Sequence, residues 1–498
     1  MSRSGSEPAA SPAAVLRAAR AALLARADLT GAALRAALVE LYDSWLAGLV
    51  SGQDGVALVA VGGLGRREPA PHSDLDLVLL HRGRRSATDI SQVADAVWYP
   101  VWDARIGLDH SVRTVAEAVA VGRDDLKAAL GLLDLRHLAG DPALSGLLRE
   151  SVYAAWRSDA ARRLPELREA TRTRWTAAGE LAFLLEPDLK DARGGLRDVH
   201  ALRSLAAAQL VDQPGPMVAA ARDVLLDVRG ELQRRSGRAL DRLVQQEQDG
   251  IAAALGYDGA DELLRAVSEA GRTVAFAVDT AWRRVEAELS ARRRSRSLAR
   301  SITGSLAGRA PAGQRRPLAD GVVEQDGEVV LARDADPWAD PVLVLRAATA
   351  AARARLPLAP HALDRLATES ATMSLPWPPG ARDAFVDLLG TGPAAVPVLE
   401  ALDQAGQLVR LLPEWARVRS KPQRNPVHRF TVDRHLVEAA AQAAALTRMV
   451  SRPDLLLLGA LLHDVGKGWP GDHTEAGVRV VREIGPRLGL PYGDAATL

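Results

Sequence analysis

Two aspartates one residue apart, Asp74 and Asp76 in Ser73-Asp74-Leu75-Asp76-Leu77, are the first residues here whose types and spacing can do chemistry. On an extended strand, side chains alternate faces, so both carboxylates project from one side while Leu75 and Leu77 point into a core. Two ionised carboxylates side by side repel, and a site that keeps them together usually supplies a divalent cation. Hard oxygen ligands of this kind suit Mg²⁺, with substrate phosphates completing its shell. Just upstream, Gly62-Gly63-Leu64-Gly65-Arg66-Arg67 removes Cβ atoms where backbone N–H groups would approach a triphosphate, and Arg66 or Arg67 can balance its charge. Together these residues describe a metal-dependent nucleotidyl-transfer site, with Asp74 and Asp76 as catalytic metal ligands and Gly62, Gly63 and Arg66 at the nucleotide.

A second constellation lies near the C-terminus. His463-Asp464 ends an apolar helical run, with His435 upstream in TVDRHLVEA and His473 downstream in GDHTEAG. An imidazole and a carboxylate on one helix turn can serve the same metal, and His435 would add a ligand from a neighbouring helix. With Gly466 and Lys467, this spacing resembles the HD phosphohydrolase superfamily. The resemblance implies a divalent ion such as Mn²⁺ or Mg²⁺ on His435, His463 and Asp464, activating water against a phosphodiester.

The elements that must position these groups follow from periodicity. Apolar residues at three- and four-residue spacing over 14–50 predict helices leading into a domain. VALVAVGGLGRRE followed by SDLDLVLLH reads as strand, Gly-rich turn and strand; Ile106–Thr114 is a further strand candidate, and Val115–Leu138 returns to helical spacing. Long helical patterns fill 150–290, broken by EPDLKDARGGLRD, and the Arg/Ser/Gly/Pro-rich stretch 291–317 has linker composition. GVVEQDGEVVLAR then carries a hairpin signal at Asp326-Gly327, and helices resume from Pro341.

Composition bounds the rest. The 498 residues leave room for about three domains of roughly 150 residues each, which excludes a single small binding module. Lys plus Arg (63) against Asp plus Glu (62) gives +1, so no global field draws the chain to nucleic acid or an anionic membrane, and phosphate recognition must be local. The absence of cysteine excludes disulfides, thiolate zinc sites and a cysteine nucleophile. The apolar stretches of residues 1–28 are broken by Arg17, Arg20 and Arg26, unlike a signal peptide, and Leu455–Leu462 is too short to span a bilayer. A cytoplasmic protein without a membrane span is expected.

The Gly-Gly turn before Asp-x-Asp resembles the polymerase-β-like nucleotidyltransferase superfamily, where a third acidic residue on a later strand commonly completes the metal site; Asp109 and Asp134 are the candidates. GGLGRREPAPHSDLDL, WDARIGLDHSVRT, PDLKDARGGLRDVH, HRFTVDRHLVEA and LLHDVGKG, taken together, resemble the bifunctional uridylyltransferase/uridylyl-removing enzymes of the nitrogen regulatory protein PII over about 56–498. The resemblance implies transfer of UMP from UTP to a PII tyrosine, with Ser73 joining Gly62 and Gly63 at the triphosphate, Mg²⁺ on Asp74 and Asp76, and an HD centre that removes the nucleotidyl group. Arg193, Gly194, Gly195 and Asp198 would close over the nucleotide. ATP in place of UTP, making a PII adenylyltransferase, and a non-catalytic PII-binding remnant are the competing readings.

The expected fold class is α+β and mostly helical. N-terminal helices (1–55) precede a small nucleotidyltransferase sheet domain (56–145) and a helical domain (146–290). A linker with a β-hairpin (291–340), a helical connector (341–420) and a partial HD domain (421–498) follow. Family members carry a last HD aspartate on a later helix and then two glutamine-sensing ACT domains. This sequence ends at Leu498, with Asp494 a poor substitute, so the reading expects impaired hydrolysis and no glutamine control.

Overall fold

In the computed structural model, which describes residues 11–301, 315–424 and 429–498, the apolar run Val56–Ala60 forms β1, with all five residues buried. Full burial follows from its central place in a four-stranded sheet of order β3-β2-β1-β4, where β2 is Leu75–His81, β3 is Leu108–Arg113 and β4 is Arg136–Gly140. β1 runs antiparallel to β2 and β4, while β2 and β3 are parallel, in the register Leu75 to Leu108 and Asp76 to Asp109. Crossing in parallel from β2 to β3 requires a helix, supplied by Ala87–Asp103, whose first turn is capped by Ser86.

Alternation along β1 and β2 sorts two cores. Leu58, Leu75, Leu77 and Leu79 pack with Leu16, Leu38, Tyr42, Leu46 and Val97 on one face. Ala57, Val59, Val78 and Leu80 pack with the long helices that follow the sheet. Asp76 has the parity of Val78 and Leu80 and therefore belongs to the second face.

The helices of this first unit are α1 (Pro12–Leu24), α2 (Gly31–Val50), α3 (Gly62–Gly65), α4 (Ala87–Asp103), α5 (Val115–Asp124) and α6 (Leu126–Leu133). After β4 come α7 (Pro142–Ser158), α8 (Ala160–Ala178), α9 (Leu196–Ala207), α10 (Pro216–Ser236), α11 (Gln245–Leu255) and α12 (Ala260–Ser301). Contacts divide the chain at Ala299/Arg300, so the sequence boundaries at 56 and 146 fall inside one packed unit. The reason is physical: one sheet has two apolar faces, and each needs its helices.

In the second unit, β5 (Arg316–Ala319), β6 (Val322–Gln325) and β7 (Glu328–Leu331) form a sheet of that order. Asp326 and Gly327 join β6 to β7 with φ of 54° and 82°, the positive pair that a type I′ turn demands. Around them are α13 (Leu343–Ala354), α14 (Pro360–Glu369), α15 (Ala381–Gly390), α16 (Ala395–Gln404), α17 (Gln407–Leu411), α18 (Trp415–Val418), α19 (Val432–Ala443), α20 (Pro453–Leu462), α21 (His473–Arg487) and α22 (Tyr492–Thr497). Among the described residues no single helix is long and apolar enough to cross a membrane.

Two local readings change. The linker expected from residue 291 is helical through Ser301, because ARRRSRSLARS contains neither Gly nor Pro to stop it. Most of the remaining stretch, 302–314, lies outside the described residues, as do residues 1–10 and 425–428, including His428 of the HRFTVDRHLVEA block. The end of the helical run Val115–Leu138 is strand β4, whose side is set by pairing to β1 rather than by its own pattern.

The turn after β1 admits no side chain at Gly65, which is buried; a Cβ there would collide with the Asp134 carbonyl oxygen and lie 3.0 Å from that of Ala60. Gly65→Ala is expected to cost about 1–3 kcal/mol, because backbone must move to admit the methyl. Denaturant melts of the purified chain check this, and an unchanged midpoint would show that the turn is looser than described.

Candidate functional site

Asp74 stands immediately before β2 and Asp76 is its second residue, so the pair shares a face, as alternation predicts. The parallel register sets Asp109 of β3 directly against Asp76, at the inter-strand spacing of about 4.8 Å. Among the described residues the Asp76 carboxylate accepts no hydrogen bond, while its carbonyl accepts from Val61 N–H at 3.0 Å. Burial, then the Asp109 charge and more weakly the Asp74 charge, push its carboxyl above the usual range, against the opposing charges of Arg66 and Lys127. The nearest cation to Asp109 is Lys127, 3.8 Å away with 90% of its side chain exposed, a pair that solvent screens.

Glycines make the room around these carboxylates. Gly62, at φ +56°, lies so close that a Cβ would run into the Asp76 carboxylate, and a Cβ on Gly107 would run into that of Asp74. The sequence reading missed Gly107, whose signal was its place one residue before β3. Its carbonyl also accepts from Leu75 N–H at 2.8 Å, which fixes the start of β2 between the two aspartates. The N–H groups of Gly62 and Gly63 donate to no acceptor among the described residues, since α3 is a single turn and its ladder begins at Gly65. Ser73 Oγ accepts from Ala70 N–H at 3.0 Å, which leaves its hydroxyl proton free to donate.

Two expectations are corrected. Arg66 is not a free phosphate ligand: its guanidinium pairs with Glu68 at 2.8 Å and with Asp134, and only 14% of its side chain is exposed. Asp134 is not beside Asp76; it ends α6, and its carboxylate holds Arg66. Asp109 is thus the third carboxylate that the fold places with Asp74 and Asp76.

Behind this turn lies a buried charge network that sequence reasoning did not find. Glu68, 6% exposed, meets Arg66, His200 at 3.3 Å, Arg203 at 3.2 Å and Arg222 at 3.8 Å. Burial acts to raise the Glu68 carboxyl, but the hydrogen bond from His200 and the charges of Arg66 and Arg203 outweigh it and hold it well below the carboxylate range. Burial, then the Arg66 charge, pushes His200 down to about 3. The spacing of His200 and Arg203 on one face of α9 was the available signal.

The 186–200 residues expected over the nucleotide are engaged by groups of the protein itself. Asp198 is fully buried, and its carboxylate accepts from Arg174, from Trp175 Nε1 at 3.0 Å and from Gly194 N–H at 2.7 Å. Arg193 pairs with Asp279 at 2.6 Å and lies 5.2 Å from the centre of the Trp175 ring. These contacts tie α8, α9 and α12 together, while Arg193 Nε finds no hydrogen-bond partner among the described residues.

In the second unit, His435 of α19 and the His463-Asp464 pair after α20 converge, with one potential ligand atom from each lying within 4.8 Å of the others. The two Nε2 atoms are 3.2 Å apart, and each stands 3.6–3.8 Å from Asp464 Oδ2. His463 Nδ1 donates to the Ala460 carbonyl at 2.9 Å, which leaves the Nε2 lone pair of the neutral ring facing the cluster. Burial acts to raise the Asp464 carboxyl, but the Lys467 ammonium 2.6 Å away prevails and keeps it ionised. Such a donor set can hold a divalent metal. His473 does not join it, and Asp494 is engaged by Arg452 at 2.7 Å.

Known proteins match this chain along most of its length. A family model described as HD domain matches residues 432–498, and one described as GlnD PII-uridylyltransferase matches 162–212. The bifunctional uridylyltransferase/uridylyl-removing enzyme of Streptomyces coelicolor is 54% identical over 97% of this chain and 58% of its own length. Its counterpart in Mycobacterium tuberculosis is 46% identical over 95% of this chain and 58% of its own, and that of Corynebacterium glutamicum 35% over 89% and 61%. The chain thus spans about 58% of the length of the first two relatives.

Because His200 is neutral when folded and takes a proton near 6.5 when unfolded, its contribution to stability is complete above pH 6.5. It shrinks as the pH falls toward 3. At about 1.4 kcal/mol per pH unit, moving from pH 7 to pH 5 removes about 2 kcal/mol, and His200→Gln, which keeps a donor for Glu68, should flatten that slope. Urea melts at the two pH values measure it; equal slopes in both proteins would remove His200 from the account.

Proposed function

We propose that the chain, similar along most of its length to bifunctional uridylyltransferase/uridylyl-removing enzymes, is of their family and that its first unit transfers a nucleoside monophosphate, UMP from UTP, to a tyrosine hydroxyl of a PII protein. The observation that carries this reading is the convergence of Asp74, Asp76 and Asp109 on one end of the sheet, with Asp76 destabilised by its neighbours. Carboxylates so placed, without an arginine of their own, fit divalent cations, for which Mg²⁺ is the expected ion. When bound, the metal neutralises the triphosphate and stabilises charge on the attacking and leaving oxygens.

The protein's own residues do the positioning. Gly62 and Gly63 N–H groups donate to phosphate oxygens at the turn, with the Ser73 hydroxyl as a further donor. Asp109, with 68% of its side chain exposed, is open to the incoming phenol. The phenolic oxygen forms a bond to the α-phosphorus as the bond to the leaving pyrophosphate breaks, and the phenolic proton is given up to solvent. Arg66 and Glu68 touch neither; they hold the turn.

In the second unit, His435, His463 and Asp464 would hold a divalent metal, which would supply Lewis acidity for hydrolysis of the phosphodiester. This reading assigns removal of the nucleotidyl group to that cluster. It places the chain in the cytoplasm, where nucleoside triphosphates are held.

Incubating the chain with a PII protein, Mg²⁺ and either UTP or ATP should give a PII adduct of UMP by intact mass, and an AMP adduct alone would reassign the nucleotide. Asn at Asp74, Asp76 or Asp109 is expected to lower the rate by about 10³-fold, as for loss of a group that stabilises transition-state charge. Asp134→Asn should retain measurable transfer; the reverse order for Asp109 and Asp134 would refute the assignment. In the second unit, Asp464→Asn and His463→Ala should abolish tight Mn²⁺ binding without unfolding α19 or α20. Undiminished Mn²⁺ affinity in both variants would dismiss this cluster as the metal centre.

A further inference from the structure

Arg149, Tyr153 and Arg157 follow one another along α7 at four-residue spacing and so form a single stripe on that helix. The stripe lines a cavity of about 660 Å³, bounded on another side by Arg66 and Asp134. Among the described residues its two guanidiniums hydrogen-bond to carbonyls only: Arg149 Nη2 donates to Leu135 O at 3.1 Å, and Arg157 Nε to Ala207 O at 3.4 Å. Nearby arginines differ, since Arg136 meets Asp43 and Arg163 meets Glu166, both at 2.7 Å. Glu150 lines the same cavity and forms no ion pair among the described residues. Tyr153 is fixed in the wall by its hydroxyl, which donates to Leu133 O at 3.2 Å, and Arg157 lies 5.8 Å from the centre of its ring.

These groups complement one ligand class. Guanidiniums without carboxylates suit a phosphate. An aromatic face beside an arginine suits a planar base, and a free carboxylate suits ribose hydroxyls. The volume lies within the usual range of small-molecule pockets, about 300–1,000 Å³. We propose that this cavity binds a nucleoside phosphate, with Arg149 and Arg157 on the phosphate, Tyr153 against the base and Glu150 accepting from the ribose. Binding here requires no divalent cation, because the guanidiniums supply the charge. The site is separate from the aspartate cluster, and the inference does not depend on the transferase reading. The lining of the cavity includes Arg66 and Asp134 but none of Asp74, Asp76 and Asp109.

Calorimetry on the full chain in EDTA, with UMP and AMP as probes and pyrophosphate as control, tests this without PII or turnover. At least one nucleotide is expected to bind at one equivalent, with pyrophosphate weaker. Arg149→Ala and Arg157→Ala should each weaken it about tenfold, the scale of one charge-assisted hydrogen bond. Tyr153→Leu should weaken the nucleotide more than pyrophosphate, and Asp76→Asn should leave affinity unchanged. Circular dichroism establishes that each variant is folded. Absence of nucleotide binding in EDTA, equal binding of pyrophosphate, indifference to both arginine substitutions or loss on Asp76→Asn would each overturn the proposal. Failure of the transferase reading would instead show only in the PII adduct assay.

Discussion

Mutual repulsion among three carboxylates is the constraint around which the first unit is organised. Asp74, Asp76 and Asp109 arrive at one end of the sheet because β2 and β3 run parallel in a register that opposes Asp76 to Asp109. A one-residue slip would send Asp76 or Asp109 to the other face. The sheet holds this arrangement through apolar contacts on both faces of β1 and β2, where buried side chains such as Leu58 and Leu80 are each worth about 1.5–3 kcal/mol. The electrostatic strain at Asp76 is therefore sustained by packing elsewhere and is available to be relieved by a cation.

Positive charge close to the carboxylates is rationed in the same way. Arg66 is the nearest buried guanidinium, yet Glu68 and Asp134 bind it, so it tempers Asp76 from a distance without neutralising it. Glu68 in turn is locked by His200 and Arg203 of α9 and Arg222 of α10. Removing one member of such a buried network strands the others, which makes the turn after β1 rigid and ties it to the long helices. The RGGLRD loop serves the same end inside the helical region, through fully buried Asp198.

Much of this was legible in the sequence where local rules govern. Asp-x-Asp on an alternating strand, the apolar run of β1 and the Asp326-Gly327 turn each carry their conformation in a few residues. What was hidden depends on long-range pairing. Asp109 and Asp134 were indistinguishable until β3 paired with β2 and Arg66 claimed Asp134; β4 looked helical because only its partner β1 makes it a strand. Gly107 carried no motif, and the Arg66–Glu68–His200 network joins residues over a hundred positions apart. The HD cluster was readable as a ligand set, but its geometry needed the fold. The tautomer fixed by Ala460 and the competing Lys467 ammonium follow from it.

The central claim is that Asp74, Asp76 and Asp109 form a site for divalent cations completed by a nucleoside triphosphate. Electron paramagnetic resonance of Mn²⁺ would test it most directly, on a chain whose HD cluster is silenced by His463→Ala and in the presence of a non-hydrolysable UTP analogue. The account predicts that Mn²⁺ is held only when the nucleotide is present and is released when Asp76 is also replaced by Asn. Mn²⁺ retained equally with and without Asp76 would contradict it.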